Sequence, residues 1–141
     1  MAKKHETEFC CKEWVIELYS PATVEDIQKV EQKLQMVLPK VYKELLYISN
    51  GVLGNLAKVY STDELIEMNK AYEVQGYAAN FISIGDDHGG YQLLMEATAE
   101  AVHFQLVSDG YGVPSENDVT DNFLLWLNSN EGNPWRNEKG L

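Results

Sequence analysis

Three strand-like stretches follow one another closely in the second half of the chain, and their spacing constrains the fold more than any other feature. They run from Phe81 to Ile84, from Tyr91 to Met95 and from Ala101 to Val107. The segment GDDHGG joins the first two, and its glycines can adopt the positive φ angles that a hairpin turn needs. In the third stretch, apolar residues alternate with His103 and Gln105, which predicts one buried face and one wetter face. The pattern is typical of an antiparallel sheet.

Two helices are predicted ahead of these strands by the residues that begin them. Thr23 and Asp26 lie three positions apart, in the pattern of a capping box with aspartate in place of glutamate. Pro39 suits the first turn of the next helix, where its missing N–H group costs nothing. Asn50-Gly51 is expected to end that helix, because glycine can take the left-handed conformation. Apolar residues recur at helical spacing after the first cap: Val24, Ile27, Val30 and Leu34.

The remaining elements are predicted from short motifs. A strand is expected from Leu56 to Tyr60. Ser61 and Glu64 repeat the capping-box pattern and predict a helix from Thr62 to about Tyr72. A last helix is predicted from Thr120 to Leu127, with its aromatic and leucine side chains facing inward.

The order of these elements indicates the fold class. Helix, helix, strand, helix, three strands and helix (α-α-β-α-β-β-β-α) describe an α+β fold, with helices packed on one side of an antiparallel sheet. Residues 8–19 fit a strand or a helix equally well, although Trp14 is expected to pack on the core. At 141 residues the chain suits a single domain over residues 1–141, with residues 1–13 as an ambiguous or flexible extension.

Composition limits the classes of function. No run of about 18 apolar residues is present, so no transmembrane helix is expected. The first residues lack the apolar segment of a secretory signal. Cys10 and Cys11 are adjacent, and two cysteines make neither a disulfide framework nor a zinc site. We therefore expect structural cysteines, a reducing cytoplasmic setting, and no cofactor or metal.

Charge is distributed unevenly along the chain. The first 59 residues balance eight acids against eight bases, so the net charge of −11 comes from the rest. Between Ala71 and Trp135 there is no lysine or arginine. Such one-sided charge favours a positively charged partner and disfavours nucleic acids and anionic membranes. The alternative is a merely soluble, acidic protein. That segment holds ten carboxylates: Glu73, Asp86, Asp87, Glu96, Glu100, Asp109, Glu116, Asp118, Asp121 and Glu131.

Two loops of this segment supply the candidate partner-binding residues. Aspartates are also common turn formers, so those of the hairpin have a structural interpretation as well. The tyrosine of the later loop, between two glycines, is either an exposed anchor or a turn residue folded onto the sheet edge. His103 and Gln105 can belong to a binding face, but a satisfied structural histidine is the favoured interpretation of His103. The candidate set is Asp86, Asp87 and His88, with Asp109, Tyr111, Glu116 and Asp118.

Three stretches, in order, resemble one family. They are residues 22–51 (ATVEDIQKVEQKLQMVLPKVYKELLYISNG), residues 81–95 (FISIGDDHGGYQLLM) and residues 121–127 (DNFLLWL). Together they are similar to the SUKH superfamily, in particular its Smi/Knr-like branch, over roughly residues 14–127. The positions that carry the resemblance in the first stretch are Ile27, Glu31, Leu38-Pro39, Tyr42, Leu45 and Asn50-Gly51.

The resemblance implies the α+β fold and a non-catalytic role with no fixed catalytic residues. Its recurrent positions are structural, with Pro39 starting a helix, Gly51 ending one, and Gly85 and Gly90 framing a turn. His88 departs from relatives that often have a smaller or polar residue there. Bacterial members are mostly immunity proteins that bind a polymorphic toxin domain, often a nuclease, whereas fungal members are regulatory scaffolds of cell-wall synthesis.

The sequence therefore predicts an immunity protein that binds a basic toxin through an acidic surface, in an oligomeric state that it leaves open. Two alternatives remain. A scaffold or adaptor for an endogenous protein needs only a specific surface. A metal-dependent hydrolase would use Asp86, Asp87 and His88 as ligands, but adjacent residues on an extended chain point to opposite faces, so these three would need a tight turn to converge.

Overall fold

A computed structural model of the chain describes residues 12–108, 120–129 and 131–134. Within these ranges it has the predicted α+β fold, an antiparallel sheet with helices packed against it. The elements are β1 (Val15–Leu18), α1 (Val24–Leu34), α2 (Lys40–Leu46), β2 (Val52–Gly54), β3 (Lys58–Val59), α3 (Thr62–Ala71), α4 (Val74–Tyr77), β4 (Phe81–Asp86), β5 (Tyr91–Glu96), β6 (His103–Ser108), β7 (Thr120–Asn122) and α5 (Phe123–Leu127).

Strand order in the sheet follows chain order, from β1 to β7, and every neighbouring pair is antiparallel. The three predicted central strands are confirmed as β4, β5 and β6. A residue's position along the chain therefore determines its position across the sheet. The first half of the chain, which carries the lysines, lies at the β1 side. At one end of the sheet, β2, β4 and β6 finish while β1, β3 and β5 begin.

Both predicted capping boxes are confirmed. The Thr23 hydroxyl accepts from Asp26 N at 3.1 Å, and the Asp26 carboxylate accepts from Thr23 N at 3.0 Å. Ser61 and Glu64 make the same reciprocal pair at the start of α3, at 3.2 and 3.0 Å. These bonds satisfy N–H groups that have no partner inside the helix, so each helix begins where its local sequence predicts.

The prediction that Asn50-Gly51 ends the second helix is wrong. That helix, α2, ends at Leu46, and turn hydrogen bonds follow it. Gly51 has φ +100° at the entrance to β2, where an added Cβ would lie 3.0 Å from Ser61 N. Asn50 instead binds the start of α3, because its side-chain oxygen accepts from Thr62 N at 2.9 Å. Glycine is needed here for a positive φ and a close backbone approach at the start of β2, rather than for a helix end.

Two other predicted boundaries also change. The strand expected from Leu56 is shorter than predicted and consists of β3 alone. Gly54 N donates to Ala57 O, which closes a turn through Leu56. The helix expected from Thr120 begins at Phe123, where the Asn122 side chain caps it by accepting from Leu125 N at 3.1 Å. Residues 120–122 pair with β6 instead. Pairing with a neighbouring strand overrides the local pattern in both places.

Trp14 packs in the core as predicted, with only 1% of its surface exposed. The ambiguous N-terminal stretch contains β1, and its residues before position 12 lie outside the described ranges. The ring centroid of Trp14 is 5.2 Å from that of Trp126, which is 5.5 Å from that of Phe104. This aromatic cluster joins β1, α5 and β6, and so connects the beginning of the described chain with its end.

The sheet is buried on both faces. The main core lies on the helix side and includes Ile82, Leu93 and Phe104. A smaller cluster on the opposite face combines Leu94 and Val107 of the sheet with residues of α4, a short helix that the sequence did not predict. The alternation of strand side chains places these two sets on opposite faces.

Asn69, on α3, completes the edge of β4 where the short strand β3 stops. Its amide donates to Ser83 O at 2.9 Å and to Leu65 O at 2.8 Å, and its oxygen accepts from Ser83 N at 2.9 Å. Gln75 donates to the Asn69 oxygen and to Phe81 O. A fully buried side chain thus replaces the missing strand residue and satisfies backbone groups that would otherwise be costly to bury.

Asn69→Leu should lower the free energy of unfolding by about 2–4 kcal/mol, because it leaves Ser83 N–H and C=O buried without partners. Urea unfolding followed by circular dichroism measures the change. Asn80→Leu is the control, since Asn80 is exposed and its backbone carbonyl accepts from Ala97 N. Equal stability of the two variants would show that Asn69 does not support β4.

Candidate functional site

The β4–β5 turn is held by hydrogen bonds from its own aspartates. Asp86 accepts from His88 N at 3.0 Å and from the Tyr60 hydroxyl at 2.9 Å. Asp87 accepts from Gly89 N at 2.8 Å and from Tyr91 N at 3.0 Å. The structural interpretation of both aspartates as turn formers is therefore correct, and it leaves their carboxylates near the surface in fixed positions.

His88 ties this turn to a second one. Its Nε2 lies 2.9 Å from Gly54 O, in the β2–β3 turn, and its φ of +65° is left-handed. A carbonyl only accepts, so Nε2 carries the proton in this contact. Its Nδ1 lies 3.8 Å from the Asp86 carboxylate. A left-handed conformation is unfavourable for a residue with a Cβ, so the contact with Gly54 offsets a local backbone cost.

Trp14 lies beneath both glycines that border this region. A Cβ at Gly54 or at Gly132 would overlap the Trp14 ring, so each backbone packs directly on the indole. Asn55 N also donates to Trp14 O at 2.9 Å. Three segments therefore meet at one end of the sheet. We call them the turn face: the β2–β3 turn (residues 54–57), the β4–β5 turn (86–91) and residues 131–132.

The turn face combines carboxylates with exposed apolar side chains. Asp86 and Asp87 are partly exposed, and Glu131, beside Gly132, is exposed. Leu56 is 43% exposed and Tyr91 is 38% exposed. Such a mixture of aromatic or aliphatic groups with a polar surround is the composition of a protein-binding surface.

Lys58 is the base nearest to Asp86 in the sheet register, and its charge is already engaged. Its ammonium pairs with Glu64. The hydrogen bond with Glu64 raises the pKa of Lys58, because it outweighs the opposite effect of partial burial. Partial burial raises the pKa of Glu64, but hydrogen bonds from Lys58 and Ser61 outweigh it and leave that pKa below its ordinary value. The side-chain hydrogen bonds of Asp86 come from neutral groups, which orient the carboxylate, while the charge of Lys58 also attracts it.

The structure describes only some of the predicted contact residues. Asp86, Asp87 and His88 come together on the turn face. Ser108 is the Cα partner of Tyr91, so β6 ends there too. Leu56 and Glu131 were not among the predicted contacts, because only tertiary contacts bring their segments to this end of the sheet: His88 with Gly54, and Trp14 with Gly54 and Gly132. Four predicted contacts lie outside the described residues: Asp109, Tyr111, Glu116 and Asp118.

Other acids of the lysine-free segment lie elsewhere. Glu96 ends β5 at the opposite end of the sheet, and Glu100 follows in the next turn; both are exposed. Lys40 N donates to Ala99 O at 3.0 Å, so the start of α2 lies beside this region. The lysine-free segment therefore lies beside a lysine-bearing helix, α2, at this end of the sheet.

The three residues of the alternative hydrolase site are engaged in hydrogen bonds that hold the turns. The turn aspartates accept backbone N–H groups, and His88 Nε2 contacts Gly54 O. Among the described residues, no group of three His, Cys, Asp or Glu side chains is arranged to hold a metal ion. His103 is exposed at the start of β6, and Gln105 is half-buried. None of the helices in the described ranges is long and apolar enough to cross a membrane.

Comparison with known proteins gives two findings. A sequence profile of the SMI1/KNR4 family (SUKH-1) matches residues 21–129, which is most of the chain. A curated relative from Bacillus subtilis (strain 168), "Uncharacterized protein YnaB", is 27% identical over 110 residues, covering 76% of this chain and 74% of the relative. The match confirms the family resemblance found in the three sequence stretches.

The lowered pKa of Glu64 predicts an acid-sensitive contribution to stability. A carboxyl group with a lowered folded-state pKa stabilises the fold fully above its unfolded value, 4.5, and loses this effect as pH falls through the folded value. Relative to Glu64→Gln, the wild type should be more stable at neutral pH by about 1 kcal/mol or less, since the pair is partly exposed. Urea unfolding between about pH 7 and pH 3 measures the difference. Glu67→Gln, at an exposed position of the same helix, is the control. A difference that does not decline with acid would contradict the assignment.

Proposed function

The chain belongs to the SMI1/KNR4 family (SUKH-1), and from this we propose that it is a non-catalytic immunity protein that neutralises a cognate protein toxin. The proposed partner is a basic toxin domain, of which a nuclease is the simplest example. Binding takes place in the cytoplasm of the toxin-producing cell and needs no cofactor. The turn face is the proposed contact surface, together with the predicted contacts between residues 109 and 118.

One observation carries the choice of surface. Two turns distant in sequence are fixed to each other by the His88–Gly54 contact, so that carboxylates and apolar groups are presented together at the end of the sheet. The nearby Lys58 forms its ion pair with Glu64, although its charge also attracts Asp86. A rigid surface of this kind loses little conformational entropy on binding, which favours a tight complex.

The mechanism we propose is competition for positive charge. A nuclease binds phosphates, so its cleft is basic, and an acidic surface placed over it would exclude the nucleic acid. Complementary potentials can raise the association rate constant to roughly 10⁸–10⁹ M⁻¹s⁻¹ at low salt. Fast association matters because a nuclease damages the cell during any delay. Steering depends on ionic strength, since salt screens charges over about 10 Å at 0.1 M.

Co-expression tests the function directly. The product of the gene next to the one encoding this chain is produced in a sensitive host, with and without this protein. Immunity predicts that the neighbour alone stops growth and that this chain restores it. A harmless neighbour, or a lethal one that this chain does not neutralise, would contradict the proposal and favour an adaptor for an endogenous protein.

Charge variants test the surface. Asp86→Asn, Asp87→Asn and Glu131→Gln together should lower the association rate constant with the purified, catalytically inactivated toxin domain by about tenfold at low salt, and flatten its salt dependence. Stopped-flow fluorescence at several ionic strengths measures both.

The matched control removes three exposed carboxylates away from the turn face, by Glu73→Gln, Glu96→Gln and Glu100→Gln. Both triple variants change the net charge by the same amount, so any general charge effect cancels in the comparison. If the two variants associate at the same rate, the turn face does not steer the partner.

A further inference from the structure

Two exposed apolar side chains lie on the turn face, on either side of His88. Leu56 is in the β2–β3 turn and Tyr91 begins β5. Strands β3 and β5 are separated by β4 alone, and neighbouring strands are about 4.8 Å apart, so the two backbones are roughly 10 Å apart across the sheet. This spacing fits within the centre of one protein–protein contact.

Hydrogen bonds hold the backbone that carries both side chains. Asp87 accepts from Tyr91 N, and the Gly54 N–Ala57 O bond closes the turn through Leu56. His88 then joins the two turns. Apolar groups on rigid backbone make effective binding anchors, because little freedom remains to be lost when they enter a pocket. Tyrosine adds a hydroxyl that can hydrogen-bond at the edge of such a pocket.

Isolated exposed apolar residues are common on protein surfaces and need no explanation. Several others here, such as Leu18 and Tyr47, are exposed to a similar extent. They differ in position, because Leu18 ends β1 at the opposite end of the sheet and Tyr47 follows α2. Leu56 and Tyr91 instead lie beside the carboxylates of the turn face.

We infer that Leu56 and Tyr91 are the apolar anchors of the toxin contact, and that the partner presents apolar pockets bordered by lysine or arginine side chains. The inference rests on the proposed function and names the chemistry of the partner's surface. In this proposal the turn-face carboxylates, Asp86, Asp87 and Glu131, pair with the bordering bases. The carboxylates set the rate of association, and the anchors set the lifetime of the complex.

Single and double alanine variants test this division of roles. Leu56→Ala and Tyr91→Ala should each raise the dissociation rate constant from the inactivated toxin domain by about 10- to 100-fold, while the association rate constant changes less than about threefold. Leu18→Ala and Tyr47→Ala are the matched controls, since they remove the same side chains at similar exposure, 36% and 43%. Surface plasmon resonance measures both constants, and urea unfolding verifies that all four variants fold.

The outcomes separate the inference from the function on which it rests. If the wild type binds and the turn-face variants dissociate no faster than the controls, the anchors are wrong and the immunity function stands. If all four variants dissociate faster to the same extent, the contact is not centred on the turn face, and the inference is also wrong. If the wild type forms no complex with the toxin domain, both the function and the anchors are overturned.

Discussion

The packing of Trp14 is the interaction on which the candidate site depends. Its ring contacts Gly54 on one side, Gly132 on another and Trp126 within the core, so segments from the beginning, middle and end of the described chain meet on one indole. A side chain at either glycine would overlap that ring. Buried aromatic groups contribute much of the stability of a small domain, since each removes roughly 150–250 Å² from water. Here the same contact also positions the segments that form the turn face.

The sheet topology gives this arrangement its electrostatic character. Because strand order follows chain order, the lysine-free part of the sequence forms one side of the sheet. The helices modify that simple division, since the start of α2 lies against the turn that contains Ala99. At the turn face, by contrast, the adjacent Lys58 is held by Glu64, and Asp86 is oriented by neutral donors. Lys58 also attracts Asp86, so local interactions as well as net charge decide how acidic this surface is.

The sequence predicted best those features that depend on near neighbours. Thr23 with Asp26 and Ser61 with Glu64 form bonds three residues apart, so the helix starts could be derived without tertiary information. The hairpin aspartates were also correctly identified as turn formers. Gly51 was misassigned because a positive φ serves the entrance to a strand as well as a helix end, and only the close approach to Ser61 N distinguishes them. The contact of His88 with Gly54, 34 residues away, could not be predicted from local pattern, and neither could the position of Glu131.

Hydrogen exchange with the bound toxin domain tests the central claim most directly, because it compares both ends of the sheet in one experiment. Amide exchange would be followed by mass spectrometry for the free protein and for the complex. If the turn face is the contact surface, amide exchange should be slower in the complex at residues 54–57 and 86–91. Exchange at residues 79–80 and 96–98, at the opposite end of the sheet, should be unchanged. Protection confined to that opposite end, with both turns exchanging as in the free protein, would contradict the account.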